Sequence, residues 1–372
     1  MTKVRAIELS LVGLPLVRPF RTSFGTSRRK TCVLVRVETD HAEGWGECVA
    51  DLEPDFSPEW NDSVWECISS FLGPALLDAG DLEPEDLDVV FAHVRGNRMA
   101  KATLANAVLD ASLREHETSL AAYLGGVRDR VESGVSVGIA ETTDALRAQV
   151  DGYLAEGYRR IKLKIEPGID VERVVAVRTD HPAVALSVDA NAAYRLSDID
   201  TFRSLDELDL LMVEQPLHHE DLVDHAALQA QIRSPICLDE SIRSAADASA
   251  AISLGACRIV NIKQGRVGGV LEARRVHDVC RDAGVPVWCG GMLETGIGRA
   301  TNLALASMPN FTLPNDTSAS ARYFPDDLTE PFVLEADGTM HVPAGPGIGV
   351  SPRPDMLSEC TIRRETVPAR KE

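Results

Sequence analysis

The sequence lacks the long apolar runs that would cross a membrane. No stretch approaches ~18 consecutive apolar residues, about the length that a spanning helix needs. The first ten residues, MTKVRAIELS, alternate charged and apolar side chains, whereas a secretory signal peptide has an uninterrupted apolar core. We therefore expect a cytoplasmic protein with no membrane partner.

Paired cysteines and an excess of positive charge are missing as well. The eight cysteines form no Cys-x-x-Cys pair, and several lie in apolar, strand-like runs, which favours reduced, packed thiols. The formal net charge is -19 at pH 7, so the chain repels phosphate backbones. We expect no nucleic-acid partner, while the acidity alone does not identify a substrate.

What the sequence does contain is a repeat of short apolar runs, each ending in a polar or glycine residue and followed by a helix-like segment. From residue 133 onwards we count eight runs: SGVSVGI, RRIKLKI, VALSVDAN, LLMVEQP, PICLDES, RIVNIKQG, PVWCGGM and FTLPNDT. Polar residues at the run ends recur at a fixed interval. Lys164, Asp189, Glu214 and Asp239 are each 25 residues apart, and Lys263 follows 24 residues later.

A unit of that length holds one strand, one helix and two short loops. Eight such units predict an α/β fold, a (β/α)8-type barrel of parallel strands. An open, doubly wound sheet remains an alternative, although its usual glycine-rich phosphate turn is absent after the first run.

The segments on either side of the repeat have a different pattern. Residues 3–50 read as three antiparallel strands and residues 57–124 as helices, which together predict an N-terminal α+β capping domain. The expected domains are therefore residues 1–130 (capping), 131–320 (barrel) and 321–372, a C-terminal segment that returns to the capping domain.

Two loops carry local predictions. The segment RPFRTSFGTS at residues 18–27 is expected to form a mobile loop that covers the barrel mouth, although an ordinary surface loop fits it equally well. In the C-terminal segment, FVLEADGTMHVP predicts a hairpin that turns at Asp337 and Gly338.

Three acidic residues fall at the carboxyl ends of consecutive predicted strands. Asp189, Glu214 and Asp239 should converge there, because reactive groups of such barrels lie at that end. Three converging carboxylates repel one another unless a cation lies among them, and oxygen ligands suit Mg²⁺ or Mn²⁺. For any one of them alone a helix N-cap would be the better explanation, and three in register reverse that preference.

Two lysines bracket the predicted metal site. Strands two and six lie opposite each other in an eight-stranded barrel, so Lys164 and Lys263 should face one another across the mouth. A metal-bound substrate carboxylate would have an acidified α-proton, which a lysine on either face could remove. A divalent cation and a neighbouring ammonium, such as that of Lys162, would lower the pKa of the base. For Lys162 an ion pair with a carboxylate is the alternative role.

Other motifs favour ordinary structural roles. GVSVG at 134–138 matches a nucleophile elbow in form, but its alternation indicates the first barrel strand. LHHED at 217–221 lacks the spacing of a histidine metal site and fits a solvated helix start. GIGRAT at 296–301 lacks the third glycine of a dinucleotide turn.

The motifs KLK, VDAN, VEQP, LDES and NIK resemble the enolase superfamily. Within it, PFRTSFGT, GWGEC, RIKLKIEPG, PICLDES, GRVGG, PVWCGGM and DTSAS resemble the branch that contains N-acylamino acid racemase and o-succinylbenzoate synthase, and the likeness covers nearly the whole chain. The resemblance implies a modified (β/α)7β barrel, a small carboxylate substrate and a homo-oligomer, for which an octamer is one possibility.

Carried over to matching positions, the resemblance implies Asp189, Glu214 and Asp239 as metal ligands and Lys164 and Lys263 as the acid/base pair. It further implies a supporting set and a substrate-binding set. The supporting set is Lys162, Asn191, Glu240 and Arg266, and the substrate-binding set is Ser136, Gly291, Met292, Asp316 and Thr317. An arginine at the position of Arg266 is associated with racemase competence in this branch.

The expected reaction is racemisation of an N-acyl (N-succinyl) amino acid through an enediolate intermediate, with one lysine removing the α-proton and the other returning it. The alternative is the syn dehydration that forms o-succinylbenzoate in menaquinone biosynthesis, and one protein can carry out both. Gln264 departs from the branch, which usually has proline there, and so bears on side-chain preference. A mandelate-type racemase and a dipeptide epimerase fit less well, and a non-catalytic metal-binding barrel would not need opposed lysines.

Overall fold

The computed structural model describes residues 1–22, 25–55 and 57–369. Its N-terminal third combines a β-sheet with helices. The elements in chain order are β1 (Thr2–Lys3), β2 (Ala6–Thr22), β3 (Gly25–Glu38), β4 (Glu43–Glu47), α1 (Asn61–Cys67), α2 (Gly73–Asp78), β5 (Asp81–Leu82), α3 (Leu87–Val90), α4 (Arg98–Glu115) and α5 (Leu120–Leu124). A π-helical turn (Ile68–Leu72) separates α1 from α2, and a 3₁₀ turn (Pro84–Asp86) precedes α3.

Strands β2, β3 and β4 form the predicted antiparallel sheet. Alternate residues of β2 and β3, such as Ile7, Leu9, Val33 and Val35, are buried against the helices, because successive side chains of a strand point to opposite faces. Helix α4 packs so closely on β4 that a side chain at Gly44 would strike its backbone.

The predicted loop at residues 18–27 is instead the distal part of a long hairpin. After a register shift between Pro15 and Phe20, strands β2 and β3 pair again up to Thr22 and Gly25, so backbone hydrogen bonds of a ladder replace the expected loop. Ser23 and Phe24, which the loop prediction included, lie outside the described residues.

The central part alternates strands and helices as predicted. Its elements are β6 (Arg130–Glu132), β7 (Gly134–Val137), α6 (Thr143–Glu156), β8 (Arg160–Lys164), α7 (Val171–Asp180), β9 (Ala185–Asp189), α8 (Ile199–Leu205), β10 (Val213–Glu214), α9 (Leu222–Gln229), β11 (Ile236–Leu238), α10 (Ala245–Leu254), β12 (Ile259–Ile262), α11 (Gln264–Val267), α12 (Val270–Asp282), β13 (Val287–Cys289) and α13 (Gly296–Ala306). Short 3₁₀ turns flank α8 at Leu196–Asp198 and Asp206–Leu208.

Strands β7 to β13 form one parallel sheet in strict sequence order. This order curls the sheet into a barrel whose outer face is covered by the helices, so the strands are buried on both faces. The carboxyl ends of all seven strands therefore meet at one mouth.

The eighth predicted strand is the part of the barrel that differs. The run FTLPNDT has only isolated bridges, from Phe311 to Val287 on one side and from Asn315 to Ser133 on the other. Pro314 has no N–H to donate, which interrupts a regular ladder at this point. The segment nevertheless hydrogen-bonds to both edge strands and so closes the ring, which makes the fold a modified (β/α) barrel.

The C-terminal segment contains a 3₁₀ turn (Ser320–Arg322), β14 (Thr339–His341), α14 (Pro354–Cys360) and β15 (Thr361–Thr366). The predicted hairpin forms only its turn: the N–H of Gly338 bonds to the carbonyl of Glu335, but β14 pairs with β6. Strand β15 pairs with β2, which returns the chain to the N-terminal sheet. Within the described ranges, no helix has the length and apolar character needed to cross a bilayer.

Candidate active site

A cavity of about 570 Å³ lies at the mouth of the barrel. Its floor is formed by strand ends of the barrel, and its roof by the distal part of the β2–β3 hairpin and the loop at residues 51–55. The distal hairpin residues thus cover the mouth, as expected for the segment at 18–27, although as paired strands.

The three predicted metal ligands lie beneath this floor. Asp189 and Glu214 end β9 and β10 and are direct neighbours across the sheet, while Asp239 follows the last residue of β11. All three are buried. Burial, together with the negative charge of Asp189, raises the pKa of Glu214 to about 8, so the carboxylates act on one another electrostatically.

The two predicted acid/base residues reach the cavity from opposite sides of these carboxylates. Lys164 ends β8 and Lys263 follows β12, so three strands with the three acidic residues lie between them. Lys164 Nζ donates to Asp189 Oδ2 (2.6 Å), and Lys263 Nζ donates to Asp239 Oδ2 (2.8 Å). Both lysines line the cavity.

The pKa of Lys263 and that of Lys162 are raised above the ordinary value rather than lowered. Burial alone would lower each pKa, but neighbouring carboxylates, Asp239 for Lys263 and Asp316 for Lys162, outweigh it. The predicted lowering depends on a bound divalent cation and a neighbouring ammonium, and it left out the carboxylates that surround these lysines. Of the positive neighbours, Arg266 lowers the pKa of Lys263.

Lys162 forms ion pairs in this structure. Its ammonium lies 2.6 Å from Asp316 Oδ2 and 2.9 Å from Glu214 Oε2, and it stacks 4.7 Å from the ring centre of Trp288. Asp316 is held in turn by Arg160, whose guanidinium is 2.5 Å from Asp316 Oδ1. Both carboxylate oxygens of Asp316, a predicted substrate-binding residue, are therefore bound to cations, although it lines the cavity.

The remaining predicted supporting residues surround the lysines. Asn191 accepts from Lys164 Nζ (2.5 Å) through Oδ1 and donates to Glu240 Oε1 (2.9 Å) through Nδ2. Burial and the negative charge of Asp239 raise the pKa of Glu240 to about 7. These contacts connect Lys164 on β8 to the loop that follows β11.

Arg266 and Gln264 lie behind Lys263 rather than in the cavity. Arg266 donates to Asp239 and to the backbone carbonyls of Ile242 and Asn261 (both 2.9 Å). Gln264 Oε1 accepts from Asn106 Nδ2 (2.6 Å) on α4, so this departure from the family pattern forms a contact between the barrel and the N-terminal helices.

The other predicted substrate-binding residues are placed unequally. Ser136, Gly291 and Met292 line the cavity, whereas Thr317 does not. The hydroxyl oxygens of Ser136 and Thr317 are buried and have no hydrogen-bond partner in the described part of the chain. A buried hydroxyl without a partner is a natural contact for a polar substrate group.

The donor chemistry of the three carboxylates fits a divalent metal ion, because acidic oxygens on neighbouring strand ends are the ligands that Mg²⁺ and Mn²⁺ prefer. As the side chains lie, each carboxylate is bonded to a lysine or arginine, and no three His, Cys, Asp or Glu side chains of residues 1–22, 25–55 and 57–369 form a ready ion site. Metal binding would therefore require these ion pairs to rearrange.

The two parts of the chain each match a known family. Residues 6–125 match the family described as Mandelate racemase / muconate lactonizing enzyme, N-terminal domain, and residues 145–356 match Enolase C-terminal domain-like. The second match covers more than half of the chain.

The chain belongs to the enolase superfamily.

Its relatives in the superfamily include racemases and synthases, and the chain is itself an enzyme. An N-succinylamino acid racemase of an Amycolatopsis species is 57% identical over 97% of this chain and 98% of its own length. An o-succinylbenzoate synthase of Geobacillus kaustophilus is 49% identical over 93% and 92%. A crystal structure of an enolase superfamily member from Listeria innocua superposes with a TM-score of 0.95 at 38% identity, covering 99% of both chains. Members of the superfamily generally use a divalent metal ion.

Sequence reasoning missed two residues near the lysines. Arg160 lies on the same face of β8 as Lys162 and Lys164, and the alternation of RIKLK could have revealed it. Trp288, which stacks under two of these cations, carries no such signal, because its contact partners are distant in sequence.

Proposed function

We propose that this enzyme racemises N-acyl amino acids, N-succinyl amino acids in particular, by a metal-dependent 1,1-proton transfer. The observation that carries the proposal is the placement of Lys164 and Lys263 on opposite sides of one cavity, with three strands and the acidic residues on the arc between them. The 57% identity to an N-succinylamino acid racemase supports the acyl class.

The lysines would perform the proton transfer. The neutral amine of Lys164 takes the α-proton on one face, and the electron pair of the broken Cα–H bond moves into the substrate carboxylate as an enediolate. The ammonium of Lys263 then gives a proton to the opposite face, which forms the Cα–H bond of the other enantiomer. The reverse reaction exchanges the two roles, so racemisation needs both side chains.

Asp189, Glu214 and Asp239 would hold the divalent ion, Mg²⁺ or Mn²⁺. When bound, the ion would supply positive charge that stabilises the negative charge developing on the substrate carboxylate. Lys162 would add a fixed ammonium on the side of Lys164, since it lines the same cavity. Ser136 would offer its unpartnered hydroxyl to the acyl carbonyl.

The second candidate is the o-succinylbenzoate synthase reaction. The 49% identity to such a synthase over 93% of the chain favours it, and dehydration would use the same base and the same enediolate. In that reaction Lys164 acts as base and then as acid, while Lys263 stabilises the enolate. Both activities in one protein are compatible with one cavity.

A single set of assays separates the candidates. Both enantiomers of an N-succinyl and an N-acetyl amino acid are incubated in D₂O, and α-deuteration is followed by NMR beside a dehydration assay. We expect deuterium uptake from either enantiomer, loss of uptake with EDTA and recovery with Mg²⁺. Dehydration without exchange would favour the synthase over the racemase. Absence of both reactions would contradict both candidates.

The wider organisation belongs to the same proposal. We propose domains at residues 1–130, 131–320 and 321–372 and a cytoplasmic homo-oligomer, for which an octamer is one possibility. Light scattering of the purified protein measures the number of subunits, and a monomer would contradict the oligomer.

A further inference from the structure

A complete guanidinium group lies inside the barrel beneath the reactive lysines. Arg160 has no exposed surface, and its guanidinium stacks 4.9 Å from the ring centre of Trp288. A side chain at Gly134 would collide with this guanidinium, so the neighbouring strand leaves space for it. The barrel interior is thus shaped around a buried cation.

This arrangement lowers the free energy of unfolding, so stability alone does not explain it. Arg160 uses a single nitrogen, which donates to Asp316 Oδ1 (2.5 Å) and to the carbonyl oxygen of Pro314 (3.2 Å). Its Nε and other terminal nitrogen have no hydrogen-bond partner within the described residues. Buried donors without partners and buried charges are unfavourable, and apolar side chains of similar volume often replace them without loss of stability.

The charges around Asp316 indicate what the cation is for. Asp316 lies between Arg160 and Lys162, with one carboxylate oxygen on each. The three side chains together carry a net charge of one positive unit. Lys162 also contacts Glu214 (2.9 Å) and Asp189 (3.4 Å), the proposed ligands whose negative charge a divalent ion would balance. Without Arg160, Asp316 would then neutralise the ammonium that faces the cavity.

We propose that Arg160 is a positioning residue that occupies Asp316 and thereby leaves the positive charge of Lys162 available to the substrate. The inference rests on the proposed function, because in that reaction the substrate carboxylate becomes more negative as the α-proton leaves. The positive charge of Lys162 would stabilise this change. When a charge that stabilises the developing negative charge is removed, kcat falls more than KM rises.

The first test compares two replacements of the same residue. Arg160→Met keeps an unbranched apolar side chain without the charge, and Arg160→Lys keeps a charge. We expect at least a ~10-fold fall in kcat for Arg160→Met with KM changed by less than ~3-fold, and kcat within ~5-fold of wild type for Arg160→Lys. Arg203→Met, on the exposed face of α8, is the matched control and should match wild type.

The second test asks whether restoring the charge balance restores activity. In Arg160→Met/Asp316→Asn both partners are uncharged and Lys162 again contributes one positive unit. We expect kcat of the double variant to recover at least ~3-fold over Arg160→Met. Thermal unfolding of each variant establishes that folded proteins are compared.

The outcomes separate this inference from the function on which it rests. Wild-type activity in Arg160→Met, equal losses in Arg160→Met and Arg160→Lys, or a double variant no better than Arg160→Met would overturn the role of Arg160. Absence of both α-proton exchange and dehydration in the wild-type enzyme would overturn the proposed function instead.

Discussion

Lys263 lies between a negative charge, that of Asp239, and a positive charge, that of Arg266. The positive charge favours the neutral amine of Lys263. The buried guanidinium of Arg266 presses the pKa of Lys263 downward, while Asp239 raises it. In Arg266→Gln the pKa of Lys263 should therefore rise, and less of the neutral amine should be present at a given pH. We expect the acidic limb of the α-proton exchange rate to move to higher pH for the enantiomer that Lys263 deprotonates.

The opposite enantiomer is the internal control, because its α-proton is removed by Lys164. Deuterium exchange in D₂O, measured for each enantiomer from pH 6 to 10, gives both profiles. Equal shifts for the two enantiomers, or none, would contradict the role given to Arg266.

The sequence predicted which side chains meet at the barrel mouth because one spacing governs them. Intervals of 25 residues placed Asp189, Glu214 and Asp239 at strand ends, where the structure brings them together. The spacing gave no information on the partners of each side chain. The structure pairs Lys162 with Asp316, which lies 154 residues further along the chain, and such a contact depends on how the barrel closes.

Among the helices and strands, the contact of β4 with α13 is the clearest link between the N-terminal sheet and the barrel. Buried Glu47 accepts from the backbone N–H groups of Thr295 (2.9 Å) and Gly298 (2.8 Å) and from the Thr295 hydroxyl (2.7 Å). Burial raises the pKa of Glu47 to about 6, although these hydrogen bonds oppose the shift. A folded-state pKa above the ordinary value means that the folded protein binds this proton more tightly.

The contribution of Glu47 to the free energy of unfolding should therefore fall as pH rises from about 4.5 to about 6. The loss is about 2 kcal/mol for a shift of about 1.5 units, and it is complete above the folded-state pKa. We expect the free energy of unfolding of wild type minus that of Glu47→Gln to decrease over this range in denaturant titrations. Glu156→Gln, on an exposed helix end, should show no such trend. A constant difference for Glu47→Gln would contradict the shift.

Elements with a strong local pattern were predicted well, and elements defined by distant partners were not. The seven barrel strands follow from buried runs of β-branched residues, and Gly157 and Gly255 end helices α6 and α10 in left-handed conformations. The eighth run, FTLPNDT, lacks Val and Ile, and Pro314 interrupts a regular ladder. The turn at Gly338 formed as expected, yet β14 pairs with β6, a choice that the local sequence does not encode.

For the molecule as a whole, the three neighbouring carboxylates Asp189, Glu214 and Asp239 at the barrel mouth predict a response to divalent cations. Carboxylates that share a site gain from a cation that binds the folded protein only, and such binding stabilises the fold. After treatment with EDTA and dialysis, added Mg²⁺ should raise the Tm by a few degrees, corresponding to ~2 to 3 kcal/mol at 100 times the Kd. Differential scanning fluorimetry measures this shift.

Matched variants distinguish the proposed ligands from the rest of an acidic protein. Glu214→Gln should abolish most of the Mg²⁺-dependent rise in Tm, while Asp200→Asn on exposed α8 should retain it. An equal rise in both variants would place the ion elsewhere.

The central claim is that Lys164 and Lys263 serve opposite faces of one α-carbon. Its most direct test is deuterium exchange in D₂O for each enantiomer of an N-succinyl amino acid with Lys164→Ala and Lys263→Ala. Each variant should lose racemisation by at least ~10²-fold, and each should retain α-proton exchange only for the enantiomer whose proton the remaining lysine removes. If both variants lose exchange of the same enantiomer, or if either racemises at the wild-type rate, the two lysines do not act on opposite faces.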